Sequence, residues 1–235
     1  MAKTLCTIVA FLLVLPLPAL AQGPESLDQL EPGAGEVQAE WLGDFGGEGE
    51  QGFELLFGLT DRLVIGAEME FEGPRDGLVF EEVSAVLMYR FTDPEDAPVG
   101  FGVMGEAAID RGGRLSGLEA RGIVEVQRGG WWLQGNAMLR HAREDGARGT
   151  GIAYSASAQR DVGGLWLGIE ASGQAARLSG EPELAPRGNH YAGPGMTFEH
   201  EFGEDREVEI GLAWLQRLKG DGAPSGPRVF VQITF

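Results

Sequence analysis

Apolar and polar residues alternate along most of this chain. The stretches "FELLFGL" (53–59), "LVIGAEMEF" (63–71), "VSAVLMYRF" (83–91), "VGFGVMGEAAI" (99–109) and "LEARGIVEV" (118–126) repeat with a period of two. So do "WWLQGNAML" (131–139), "IAYSASAQ" (152–159), "LWLGIEASG" (165–173), "MTFEHEF" (196–202) and "VEIGLAWL" (208–215). Successive side chains of an extended chain point to opposite faces, so each stretch reads as a strand with one apolar and one polar face. With "EVQAEWLG" (36–43) before them and "PRVFVQITF" (227–235) after, the pattern predicts about twelve strands and almost no helix.

The connections alternate in kind. Tight turns are expected after every second strand, at Thr60-Asp61, Asp93 to Ala97, Arg128 to Gly130, Val162 to Gly164 and Gly203 to Arg206. Longer Gly- and charge-rich loops are expected in the other gaps, at 43–51, 73–77, 111–114, 143–149, 180–188 and 219–226. This is up-and-down antiparallel topology, and an even strand count places both termini on the tight-turn side.

Parity decides which face meets which solvent. One face collects Val229, Val231, Ile233, Phe235, Ile210, Leu212, Trp214, Leu167, Ile169, Phe101, Val103, Ile65, Met69, Phe53, Leu55 and Phe57. The other collects Glu36, Gln38, Glu40, Glu54, Glu68, Glu70, Glu82, Glu106, Glu119, Arg121, Gln134, Asn136, Arg140, Ser155, Ser157, Glu170, Ser172 and Gln232. A lipocalin-like barrel or a β-sandwich buries its apolar face and leaves the polar one in water, but a closed barrel of twelve strands would then enclose these carboxylates. A transmembrane barrel resolves the conflict: hydrocarbon receives the apolar face and a water-filled lumen the polar one. The fold expected is therefore all-β, a transmembrane antiparallel barrel of about 12 strands over residues 36–235 with periplasmic termini.

The start of the chain supports export. "MAKTLCTIVAFLLVLPLPALA" has a single charge at Lys3, a short apolar run interrupted by Pro16 and Pro18, and small residues before Gln22, the features of a cleaved signal peptide over 1–21. Any disorder is confined to 22–35, a short periplasmic N-terminal segment. Cys6, the sole cysteine, lies in the leader, so the mature chain has no thiol for disulfides, metal or nucleophilic catalysis. Lys3 is one of 18 basic residues, and the other 17 face 36 acidic ones, which disfavours nucleic acid as a partner. The expected location is the outer membrane of a Gram-negative cell, with its lipids and lipopolysaccharide as surroundings. Arg75, Arg111, Arg114, Arg143, Arg148, Arg187 and Lys219, on the longer connections, are expected to contact lipopolysaccharide headgroups.

Little points to catalysis. His141, His190 and His200 have no metal-ligand spacing, and His141 is expected to face about residue 151, too far from Ser155 and Ser157 for a lipid hydrolase. His200 reads as an amphipathic ring at the membrane interface. No catalytic residue, metal or cofactor is expected. Pro194 interrupts a strand and marks either a bulge, the favoured reading, or a lateral opening in the wall.

"GLTDRL" (58–63), "GGWWLQGNAML" (129–139), "GPG" (193–195) and the terminal aromatic resemble features of the outer-membrane barrels named for the meta-pathway of phenol degradation. The resemblance implies a channel for small solutes, aromatic or apolar compounds among them, and carries over no catalytic residue. A terminal Phe235 on an alternating strand likewise resembles the signal read by the barrel-assembly machinery.

The pore-lining residues expected are Glu40, Glu54, Glu68, Glu82, Glu106, Glu119, Arg121 and Arg140. Glu40, Glu54, Glu68 and Glu82 recur every fourteen residues, so hairpin pairing sets each about opposite the next, and Glu119 faces Arg140. Either lumenal arginines or a plug segment neutralise this row, or an acidic wall facing a smaller basic patch makes the pore weakly cation-selective. A non-conducting structural or adhesive barrel is the competing expectation, because Leu56, Val86, Met88, Ile123, Met138, Leu215 and Phe230 also point inward and would fill a narrow lumen.

Overall fold

The computed structural model describes residues 24–46, 49–72, 77–94, 96–202 and 206–235. Residues 1–21, expected to form the leader, Arg75 and most of the turn expected at Gly203 to Arg206 lie outside them. The strands are β1 (Val37–Asp44), β2 (Glu50–Thr60), β3 (Leu63–Glu72), β4 (Val79–Thr92), β5 (Gly100–Asp110) and β6 (Leu115–Arg128). They continue as β7 (Trp131–Glu144), β8 (Ala147–Asp161), β9 (Leu165–Gly180), β10 (His190–Glu201), β11 (Glu207–Lys219) and β12 (Gly226–Thr234). Each pairs antiparallel with its neighbours in sequence, and β1 pairs with β12, so the sheet closes. Mutual backbone hydrogen bonds between Val37 and Phe235 fasten the seam at the tight-turn end.

Closure leaves no sheet edge, and alternation then sorts the side chains as expected. Outward Ile169 is 63% exposed and Trp214 51%, whereas inward Arg121 is 3% exposed and Ser172 1%. Aromatic pairs band the outer wall near both rims. Tyr89–Phe91 and Phe91–Phe101 lie at the tight-turn end, with ring centroids 5.1 and 5.3 Å apart, and Phe53–Phe71 and Phe71–Phe80 toward the loops. His200 stacks on Phe198 in the first band. Such girdles suit the two interfaces of a bilayer.

One local expectation changes. The loop expected at 143–149 is a two-residue hairpin: β7 and β8 stay paired to Glu144↔Ala147, and Asp145 and Gly146 turn the chain with φ of 45° and 90°. Two consecutive positive φ values match the twist of paired strands, so the ladder continues into the charged stretch. At the same end, the β9–β10 connection folds over the mouth, where a side chain on Gly149 would strike the Leu184–Ala185 backbone. Asn189 Oδ1 accepts the N–H groups of Asp221 and Gly222, each at 3.0 Å, tying the β11–β12 connection down beside it.

Candidate pore and its internal segment

Residues 24–36 run lengthwise through the lumen. The segment leaves the wall at the tight-turn end, where Gly35 N donates to Gly58 O at 2.7 Å. Leu30 fills a buried cluster with Leu56, Val64, Val86, Met88, Met104 and Ile123. Its backbone is held on both sides: Arg90 Nη1 donates to Leu30 O at 2.9 Å, and Leu30 N donates to Glu125 Oε2 at 3.3 Å. Higher up, Asp28 N donates to Asn136 Oδ1 at 2.8 Å, Asn136 Nδ2 returns a bond to Asp28 O, and the Asp28 carboxylate sits on Arg121. Ser155 Oγ donates to Ser26 O at 2.6 Å, Glu25 pairs with Arg140, and Arg228 donates to Pro24 O. Arg228 is the cross-strand partner of Asp44, the last residue of β1, so the segment has reached the loop end.

Residues 24–35, part of the 22–35 stretch to which any disorder was expected to be confined, lie along the lumen. A stretch without regular structure can be buried only if its polar backbone groups find partners, and here the side chains of the wall supply them.

The acidic row assembles in part. Glu40 is partnered with Glu54, and Glu54 with Glu68. The fourth member does not continue it: Glu82 lies opposite Glu70 and Glu68 opposite Ser84, and a register shift between Glu70 and Phe71 supplies one place of that two-residue offset. A bulge sets two residues against one and moves every later partner by one place. Glu106 opposes Glu119, and Glu119 opposes Arg140 as expected. Glu119 bonds both Arg121 Nε, at 2.7 Å, and Arg140 Nε. With Asp28 and Glu25 on the same two arginines, the basic patch is occupied by the segment and one wall carboxylate. Among the described residues, no ion pair joins Glu40, Glu54 or Glu68 to a cation. Two spaces remain beside the segment. One, of about 20 Å³, is lined by Glu40, Glu54, Glu68, Glu106 and Arg121; the other, of about 30 Å³, by Glu40, Glu170, Glu209, Gln134 and Arg228.

The wall stays closed at Pro194. Its ladder to β9 is continuous through Pro194↔Ile169, while the ladder to β11 passes from Ala192↔Gln216 to Gly195↔Ala213. The strands nevertheless touch there, since a Cβ on Gly193 would lie 1.7 Å from Trp214 O. His141 faces Thr150, with Nδ1 2.8 Å from Oγ1, and Ser155 is spent on Ser26. His190 Nδ1 lies 3.1 Å from Tyr154 Oη. No group of three or more potential metal ligands is found among the described residues.

The residues that sequence reasoning missed are those of the segment itself: Glu25, Ser26, Asp28, Leu30 and Glu31. A signal existed in the inward arginines. Arg90, Arg121, Arg140 and Arg228 need counter-charges, and residues 24–36 carry four carboxylates and no cation.

No family model matches this sequence, and no curated protein does. By structure, the chain is similar to an outer membrane channel from Pseudomonas putida F1, with 15% identity, a TM-score of 0.56, and coverage of 91% of this chain and 98% of that one. Weaker likenesses are to OmpT of Vibrio cholerae (10% identity, TM-score 0.38, 85% of this chain and 94% of that one) and to LpxR from Salmonella typhimurium (10%, 0.43, 85% and 99%). The fold is thus one that an outer-membrane channel uses.

Proposed function

We propose that this protein is an outer-membrane diffusion channel for small solutes, cation-preferring, whose lumen is occupied at rest by its own N-terminal segment. The observation that carries the reading is the unpaired Glu40, Glu54 and Glu68 row facing two lumenal spaces. Carboxylates in a sealed protein core would be costly, whereas carboxylates along a solvated path raise the local concentration of cations. Export by a cleaved signal peptide and recognition of Phe235 by the barrel-assembly machinery belong to the same proposal, and the protein acts without catalytic residues or cofactor. The Leu30 socket offers apolar or aromatic solutes a place to bind once the segment moves.

A non-conducting structural barrel is the second reading, favoured by the number of contacts that hold residues 24–36. Planar-bilayer recordings separate the two. The intact chain should show small, infrequent conductance. A chain lacking 24–35 should conduct several-fold more, and Leu30→Ala, which removes a buried side chain worth about 2–5 kcal/mol of docking, should act in the same direction. In a salt gradient the reversal potential should report cation preference and move toward zero when Glu40, Glu54, Glu68 and Glu82 are all changed to Gln. Silence from every folded form would establish the structural barrel instead.

A further inference from the structure

Near the loop end of β6 to β8, the outer wall changes from apolar to basic within a few residues. Leu139 and Ile152 are cross-strand partners and exposed. Two residues nearer the loops His141 and Thr150 are partners, and two further on Arg143 and Arg148 are. The β7–β8 ladder runs without a register shift from Trp131↔Arg160 to Glu144↔Ala147, so all six side chains share the outward face. Arg143 Nε donates to His141 Nε2 at 3.2 Å, so His141 presents its Nδ1–H to Thr150 and holds the Arg143 head in place. Arg114, on the neighbouring β5–β6 turn, reaches Asp145 at 4.0 Å, which brings that turn and its Arg111 to the same rim. Directly below them Ile109, Leu115 and Leu118 are exposed.

Like charges placed directly opposite on adjacent strands repel, and among the described residues no ion pair relieves Arg143 or Arg148. Glu144 follows Arg143 on the opposite face of β7, and Asp145 is turned to Arg114. The ligand that fits has an apolar body lying against Leu139, Ile152 and Leu118, and a head with at least two negative charges at the height of the arginines. Arginine guanidinium forks bind phosphate oxygens in pairs, and long side chains at a membrane rim reach up to headgroups. We infer that this rim is a binding site for the phosphate of a lipid A-type glycolipid of the outer leaflet. The inference rests on the outer-membrane reading with the loop end facing outward. Arg187 and Lys219 lie on other connections and take no part.

The test uses the full chain in phosphatidylcholine vesicles, alone or with bisphosphorylated lipid A, with lipid A lacking phosphate, or with phosphatidylglycerol. The readout is the temperature at which the folded band is lost on gels. Bisphosphorylated lipid A alone should raise the midpoint, and R143Q/R148Q should lose most of that gain while matching the parent in plain phosphatidylcholine. Retention of the lipid in native mass spectrometry should fall about tenfold, the loss expected for two charge-assisted pairs. If the double variant inserts poorly, Arg143→Gln alone should give a partial loss. An equal gain in the variant, with phosphate-free lipid A, or with phosphatidylglycerol would overturn the site. Recovery of the protein in the soluble periplasmic fraction would overturn the outer-membrane reading itself, a distinct result.

Discussion

Glu31 sits one residue from the Leu30 socket in a ring of like charge. Gln232 Nε2 donates to its Oε2 at 3.1 Å, and Glu125, Glu207, Glu36 and Glu199 are its charged neighbours. Burial first, and then those carboxylates, push its pKa from 4.5 up to about 8. The docked segment therefore holds Glu31 protonated near neutrality, while the released one ionises it. Docking is fully favoured below about pH 4.5 and weakens as pH climbs toward 8, so the conductance of the parent should rise across that interval. Glu31→Gln keeps the shape and stays neutral. Its pH profile should be flatter than the parent's; an equally steep one would assign the response to the wall carboxylates instead.

The ladder of β10 with β11 lapses between Ala192 and Gly195, and its tolerance can be measured. Gly193→Ala must push β10 away from Trp214 O where pairing already lapses, so it should cost about 1–3 kcal/mol, read as a lower urea midpoint. Gly122→Ala, with nothing within 4 Å of the added carbon, is the control and should be near neutral. That all twelve strands were legible beforehand has a simple cause: a wall with lipid on one side and water on the other must alternate at every residue it spans. Above the hydrocarbon that requirement lapses, which is why the Arg143 to Gly149 stretch read as loop although its ladder continues. The slip at Glu70 and Phe71 and a hairpin centred half a residue later than expected leave no mark in the alternation of β3, so the fourth glutamate was misplaced by two residues, from Glu68 to Glu70.

For the molecule as a whole, the internal segment was the least legible part, and the reason is distance along the chain. Pro24, Ser26, Asp28 and Leu30 are held by Arg228, Ser155, Arg121 and Glu125, partners 204, 129, 93 and 95 residues away, and no local periodicity encodes such contacts. The segment also adds four carboxylates to a lumen already rich in them, and it covers Arg90, Arg121, Arg140 and Arg228. Removing it should therefore widen the path and weaken cation preference together. Its lengthwise course has a further consequence, for the order in which the protein matures. Pro24 is bound at the loop-end rim, so the docked segment presents its N-terminal end to that mouth. If the leader proposed above is cut after Ala21, only Gln22 and Gly23 precede Pro24. A retained leader would have to draw its apolar run of leucines and valines past the carboxylates of Glu40 and Glu170 and deliver it to the far side of the barrel. On the cleavage proposed above, trimming would then precede plugging, and the leader peptidase would be the step that allows the barrel to shut. A chain blocked at its cleavage site should conduct like the form lacking 24–35, whereas conductance as low as the processed protein's would show that the segment seats itself without being trimmed.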